Sequence, residues 1–254
     1  MIGDRRIDTV YVDSGIAFSL KDKWRLKKEN RQPGQKLILA MPYIFRHSDV
    51  KRFEGYYDEI TEFFDGVMIR NLESYEWLLS RGYQGEISSD YNIYVFNKRS
   101  REILKEIGIG CFTASPELNY RELKELDIRG GSLIVYGYQP VMITANCIQK
   151  STGTCRHEDG VLYLTDRYQK KFAVKNDCKC CYNIIYNSQP LMLLNQAEEV
   201  KSLYPAELRL DLFDESSGDM ESVIEAYYQC FKKDRSADVP DIDYTKGHFK
   251  RGVK

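Results

Sequence analysis

Through its first 138 residues the chain alternates short β-branched runs with longer amphipathic ones, at a period of roughly 25 residues. The runs Thr9–Asp13, Lys36–Met41, Gly66–Arg70, Gly85–Ser88, Gly110–Ala114 and Ser132–Tyr136 read as strands. Helical stretches are expected between them, near 18–30, 49–64, 72–81, 97–107 and 117–127. Asn71 and Ser115 suit N-cap positions, Pro116 a first helical turn, and Gly108 and Gly130 helix ends. Strands that alternate with helices over short links run parallel, covered by helices. The few charges within these runs fit strands buried on both faces.

After Tyr138 the helical period stops. Val161–Thr165 and Lys171–Val174 read as a hairpin joined by residues 166–170. Glu207–Phe213 reads as another strand and Met220–Lys232 as its helix. The expected organisation is β/α units over 1–138, a cysteine-rich insertion over 139–200, a last strand and helix over 201–235, and a polar tail over 236–254. That makes about seven strand–helix units, one short of a closed (β/α) barrel. An open doubly wound sheet is the rival.

The 254 residues are 43% apolar and carry a formal net charge of −1, which gives no general pull toward nucleic acid or membrane. No apolar run reaches the length of a membrane span, and the first residues lack the apolar core of a signal peptide. A reducing cytoplasmic setting is therefore expected, where structural disulfides are rare. Cys111 and Cys230 stand alone and read as buried thiols. The other five cysteines form the array Cys147-x7-Cys155-x22-Cys178-x-Cys180-Cys181. Thiolates select zinc or iron–sulfur clusters. The gap between Cys178 and Cys181 lets one turn present two sulfurs, and Cys147 with Cys155 can supply a second pair. Spacing alone does not separate zinc from iron. His157 reads as a solvated loop residue, and no hydrolase or phosphate-loop motif is present.

In parallel α/β barrels, chemistry sits at the carboxyl ends of the strands. Those ends carry Asp13, Arg70 with Asn71, Asp90 with Tyr91 and Asn92, Ser115 with Glu117, and Arg209 with Asp211. Arg70 and Arg209 suit bidentate capture of a carboxylate or phosphate. Asn71, Asn92 and Asp211 complete the expected substrate pocket, and Glu117 or Asp90 would move a proton. Plainer roles compete: Ser115 and Asp90 as helix caps, Glu117 as a dipole partner, and Arg209 with Asp211 as an internal ion pair.

The cysteine region also carries a family resemblance. Residues Tyr136–Met142, Cys147, Cys155, Leu164–Arg167, and Cys181 through Asn187–Leu191 resemble peptidase family U32, the collagenase-like peptidases. Asp90–Asn97, Ser115–Asn119 and Thr245–Val253 are similar to it too, so the likeness runs from about residue 36 to the end. The resemblance implies a TIM-like barrel with a cysteine insertion after a late strand. The family bears a peptidase name without an agreed catalytic motif. Several relatives act in oxygen-independent or prephenate-dependent hydroxylation of RNA bases or of a quinone precursor, and bind a four-iron cluster through four cysteines. Carried over, Cys147, Cys155 and Cys181 match ligand positions. Cys178 is the expected fourth, with Cys180 as the alternative. Longer members begin with an Ala-Pro-Ala-Gly-like strand that this chain lacks, so the chain reads as the later part of a longer protein or as a subunit completed by a partner. The expectation is thus a 4Fe-4S enzyme or enzyme subunit modifying RNA or a small aromatic substrate. The alternatives are a collagenase-like peptidase and a zinc-stabilised, non-catalytic partner subunit.

Overall fold

Short apolar runs without solvent-facing alternation bury both faces, and the chain places helices against them. The structure, a computed structural model, describes residues 1–20, 23–153 and 155–252. They divide into two compact units, one of residues 1–93 and 102–112 and the other of residues 94–101 and 113–254.

In the first unit, β1 (Thr9–Asp13) leads to the short helices α1 (Ser14–Ser19) and α2 (Trp24–Glu29), then to β2 (Lys36–Ala40). Helices α3 (His47–Glu54) and α4 (Tyr57–Phe63) precede β3 (Gly66–Ile69), α5 (Leu72–Ser80) and β4 (Glu86–Ser89). The helix α6 (Lys98–Glu106) runs into β5 (Cys111–Phe112). The strands form one parallel sheet in sequential order, β1-β2-β3-β4-β5. Tyr11, Ile38, Ala40 and Met68 pack together on one face. Against the helices, Phe53 is fully buried and makes edge contacts with Phe18, Phe45 and Trp77.

Two of the expected helices are each a pair. The stretch expected near 18–30 begins in the last two residues of α1 and holds α2, and residues 21–22 between them lie outside the described residues. The stretch near 49–64 breaks at Gly55 and Tyr56, where Gly55 caps α3 and α4 restarts one residue later. Glycine loses the most freedom on entering a helix, so it is a natural break. Asn71 does cap α5, accepting from the Ser74 N–H at 2.7 Å.

In the second unit, α7 (Tyr120–Leu126) precedes β6 (Ser132–Gly137), whose six residues are all buried. There follow β7 (Pro140–Thr144), α8 (Ile148–Ser151), β8 (Gly160–Thr165), β9 (Lys171–Asp177), β10 (Tyr182–Tyr186) and β11 (Leu191–Met192). The chain continues through α9 (Ala197–Ser202), β12 (Glu207–Asp211) and α10 (Ser217–Tyr227), extended by a π-helical turn at Tyr228–Lys232. β6 pairs in parallel with β12 and antiparallel with β11. Strands β7 to β10 make a separate antiparallel sheet in the order β7-β10-β9-β8. Gly137 has φ +131°, and a Cβ there would run into the Asp211 carbonyl, so β6 and β12 approach at a point open only to glycine. Tyr227 pins this core: its hydroxyl donates to the Val135 carbonyl at 2.6 Å and accepts the Leu193 N–H at 3.2 Å.

The expected hairpin forms as β8 and β9, with Asp166 Oδ1 accepting the N–H groups of Tyr168 and Lys170 in the turn. The expectation for residues 139–200 missed β7, β10 and β11. The cap of α7 is corrected. Asn119, not Ser115, accepts the Glu122 N–H, and Glu122 reaches back to the Asn119 N–H in a capping box. Ser115 and Pro116 lie in the preceding turn. Asp127, with φ +60°, ends the helix in place of Gly130. Cys111 and Cys230 are half-buried rather than sealed in the core. The parallel α/β architecture is as expected, and no described helix is long and apolar enough to cross a membrane.

Asn71 also donates through Nδ2 to the Pro42 carbonyl at 2.9 Å. Replacing it (Asn71→Ala) therefore removes a cap and a strand-end tie together. Urea denaturation should show a loss of about 1–2 kcal/mol, and an unchanged midpoint would contradict the assigned role.

Candidate functional site: a charged strand edge and a thiol cluster

The first unit gathers buried charge at the carboxyl edge of its sheet. Arg70 follows β3, is 9% exposed, and pairs through Nε with Asp90 Oδ2 at 2.9 Å just past β4. Its Nη1 donates to Asp13 Oδ2 at 3.1 Å, at the end of β1, and to the Met41 carbonyl at 3.2 Å, just past β2. The guanidinium lies over the Tyr43 ring, 4.2 Å from its centroid. One side chain thus joins the ends of β1, β2, β3 and β4. Burial alone would make Arg70 easier to deprotonate. Tyr43, Asp90 and Asp13 outweigh it and hold its pKa well above the ordinary value, so it stays cationic.

Around this centre, Asp90 is completely buried and also accepts the Tyr91 N–H at 2.8 Å. The Tyr43 and Tyr91 hydroxyls are 3.2 Å apart, and burial, then Tyr43 and Asp90, push the Tyr91 phenol well above its usual range. Asn92 Nδ2 donates to the Arg70 carbonyl, while its Oδ1 is buried without a partner. The structure therefore brings together Arg70, Asn71, Asp90 and Asn92 as expected. It adds Asp13, Met41 and Tyr43, of which Met41 acts through a backbone oxygen that no side-chain pattern reveals. Within the protein, Arg70 Nε is engaged by Asp90, and Nη1 by Asp13 and the Met41 carbonyl.

The remaining pocket residues lie in the second unit. Arg209 and Asp211 form the internal pair, Nε to Oδ1 at 2.5 Å and Nη2 to Oδ2 at 3.1 Å. Arg209 Nη1 also reaches Thr113 Oγ1 at 3.4 Å. Glu117 is exposed in the turn before α7, with its N–H on Ser115 Oγ at 3.3 Å.

Five cysteines lie in the turns and links of the antiparallel sheet. Cys178, Cys180 and Cys181 occupy the turn between β9 and β10, and Cys147 precedes α8. Cys178 Sγ donates to the Glu158 carbonyl at 3.0 Å, and its N–H reaches Asp159 Oδ1 at 2.8 Å. Its thiol is pushed up to about 11, first by burial, then by Asp159, Cys147, Cys155 and Asp177. Cys180 is buried, its N–H donating to Asp177 Oδ1 at 2.8 Å. Cys181 is exposed, in left-handed backbone at φ +54°. His157 is exposed, as expected.

Among the described residues no three His, Cys, Asp or Glu side chains form a group ready to hold a metal ion. In donor type alone, thiols suit a soft metal. No family model matches the chain, and no curated protein matches it.

Removing the Asp90 carboxylate (Asp90→Ala) leaves the buried Arg70 charge undercompensated. Chemical denaturation should record a loss of about 3–5 kcal/mol, whereas a loss below 1 kcal/mol would show that the strand-end cluster is not held by this pair.

Proposed function

We propose that the chain is a U32-type protein: a TIM-like barrel of about seven strands with a cysteine-rich insertion that holds a 4Fe-4S cluster. It acts in the cytoplasm as an enzyme, or as the subunit of one, in hydroxylation-type modification of RNA or a small aromatic substrate. The observation that carries this reading is that one strand ties both cysteine segments: Asn183 of β10 accepts the N–H of Ile148, next to Cys147, at 2.7 Å, and Cys178, Cys180 and Cys181 lie in the turn that leads into β10. The sequential parallel order of β1 to β5 and the parallel pairing of β6 with β12 support the barrel. Cys181 and Cys178 are the two ligands from the β9–β10 turn, with Cys180 as the alternative to Cys178. A cluster held there supplies one-electron chemistry.

The chain's own side chains divide the other tasks. Arg70 offers one N–H pair to an anionic or carbonyl oxygen at the strand edge, and Tyr43 holds its plane. Asp90 is engaged by Arg70 and closed to solvent. Glu117, exposed in its turn, is the better placed of the two carboxylates to exchange a proton. Arg209 is committed to Asp211 and serves to orient that carboxylate.

Anaerobic purification followed by reconstitution with iron and sulfide tests the reading. About four irons per chain and a brown, sulfide-to-iron absorption are expected. Cys147→Ser, Cys155→Ser and Cys178→Ser should each lower iron retention severalfold, while Cys230→Ser should not. One zinc per chain with no iron uptake would replace this function with that of a zinc-stabilised partner subunit.

A further inference from the structure

The antiparallel sheet of the second unit ends in two edge strands, β7 and β8. An open edge invites pairing, and proteins blunt it with proline, bulges or charge. β7 is blunted: it opens with Pro140, and its ladder with β10 shifts register between Ile185 and Tyr186. β8 is not. From Gly160 to Thr165 it reads Gly-Val-Leu-Tyr-Leu-Thr, with no charge, no proline and an unbroken ladder to β9. Val161 and Tyr163 on one face and Leu164 on the other are exposed. Among the described residues no strand or bridge lies along the outer side of β8.

The turn after β8 fixes which backbone groups face outward. The Asp166 N–H donates to the Lys170 carbonyl at 3.0 Å, so these two residues form a hydrogen-bonded pair. Such pairs alternate with non-bonded ones along an antiparallel ladder. Leu164, Leu162 and Gly160 therefore bond to β9, while Thr165, Tyr163 and Val161 turn their N–H and C=O groups away from it. One antiparallel register of β8 against a second β8 uses all three. Tyr163 then faces its own counterpart on a two-fold axis, and Val161 faces Thr165, each facing pair exchanging two backbone bonds. The same register carries Asp159, just before the strand, toward Arg167, just after it, at both ends. Both side chains are exposed and opposite in charge. Asp159 Oδ1 takes the Cys178 N–H, which leaves Oδ2 for the arginine. The Tyr163 hydroxyl donates to Asp214 Oδ2 at 2.9 Å, so the central ring is already held in place.

We infer that β8 is a homodimer edge: a second copy of this chain pairs with it antiparallel about a two-fold axis at Tyr163, joining two four-stranded sheets into one. The occupant is a second copy because the run is its own complement, in backbone register and in charge. The inference is independent of the metal reading.

Sedimentation velocity on the full chain should show a species near twice 29.7 kDa as concentration rises. Val161→Pro deletes an outward N–H and leaves the β9 ladder whole, so dimer affinity should fall about tenfold. Asp159→Arg or Arg167→Asp alone sets like charges at both ends and should weaken the dimer severalfold. Mixing those two variants restores both ion pairs, so mixed dimers should form in preference to either variant's own. Circular dichroism verifies that each variant folds. Residue-resolved hydrogen exchange on the wild-type chain gives a readout that no folding defect can confound. The amides of Val161, Tyr163 and Thr165 should gain protection with concentration, while those of Leu162 and Leu164 keep theirs. A chain that stays monomeric up to its solubility limit, with or without a different polypeptide on β8, would overturn the inference. So would a dimer indifferent to all three folded variants, or one whose outward amides stay unprotected, because its interface lies elsewhere.

Discussion

The charge on Arg70 is the constraint around which the first unit is organised. A buried guanidinium without carboxylates is costly, and each carboxylate that satisfies it comes from the end of a different strand. Asp13 closes β1, Asp90 closes β4, and the Met41 carbonyl marks the end of β2. Parallel strands have no hairpins to hold their ends in register, so a shared ion cluster does that work at the edge where ligands bind in α/β folds. The same contacts leave Nη2 as the part of the guanidinium still able to meet a ligand.

In the second unit the equivalent organiser is neutral. The Asn176–Asn183 pair joins two strands of the antiparallel sheet to the backbone beside Cys147. It fixes where the β9–β10 turn presents its sulfurs relative to α8. The two organisers differ in kind. One is a charged clamp, the other a neutral amide pair.

Much of the first unit was legible because its strands are uniform in kind: short, apolar and regularly spaced. Thr9–Asp13 matches its expected bounds; Lys36–Met41, Gly66–Arg70 and Ser132–Tyr136 differ by one residue at an end, Gly85–Ser88 shifts by one at both, and Gly110–Ala114 shortens to Cys111–Phe112. The helix expected near 49–64 hid its break because residues on both sides of Gly55 keep a helical apolar pattern. Ser115 looked like a cap because Pro116 follows it, but the capping box of Asn119 with Glu122 satisfies two donors at once and wins. The second unit was harder. Strands β7 and β10 lie beside cysteines and polar residues, and their pairing is long-range, so no local period announces them. The charged residues at strand ends could be named from position alone, but their mutual pairing could not. Asn176 and Asn183 carried a faint signal in their mirrored spacing about the turn, and only the ladder register gives it meaning.

The central claim is that thiols distant in sequence share one metal centre. X-ray absorption at the iron edge of anaerobically reconstituted protein probes that claim directly. A first shell of sulfur alone, with iron–iron scattering behind it, is the predicted result. A first shell of oxygen and nitrogen without iron–iron scattering would contradict it.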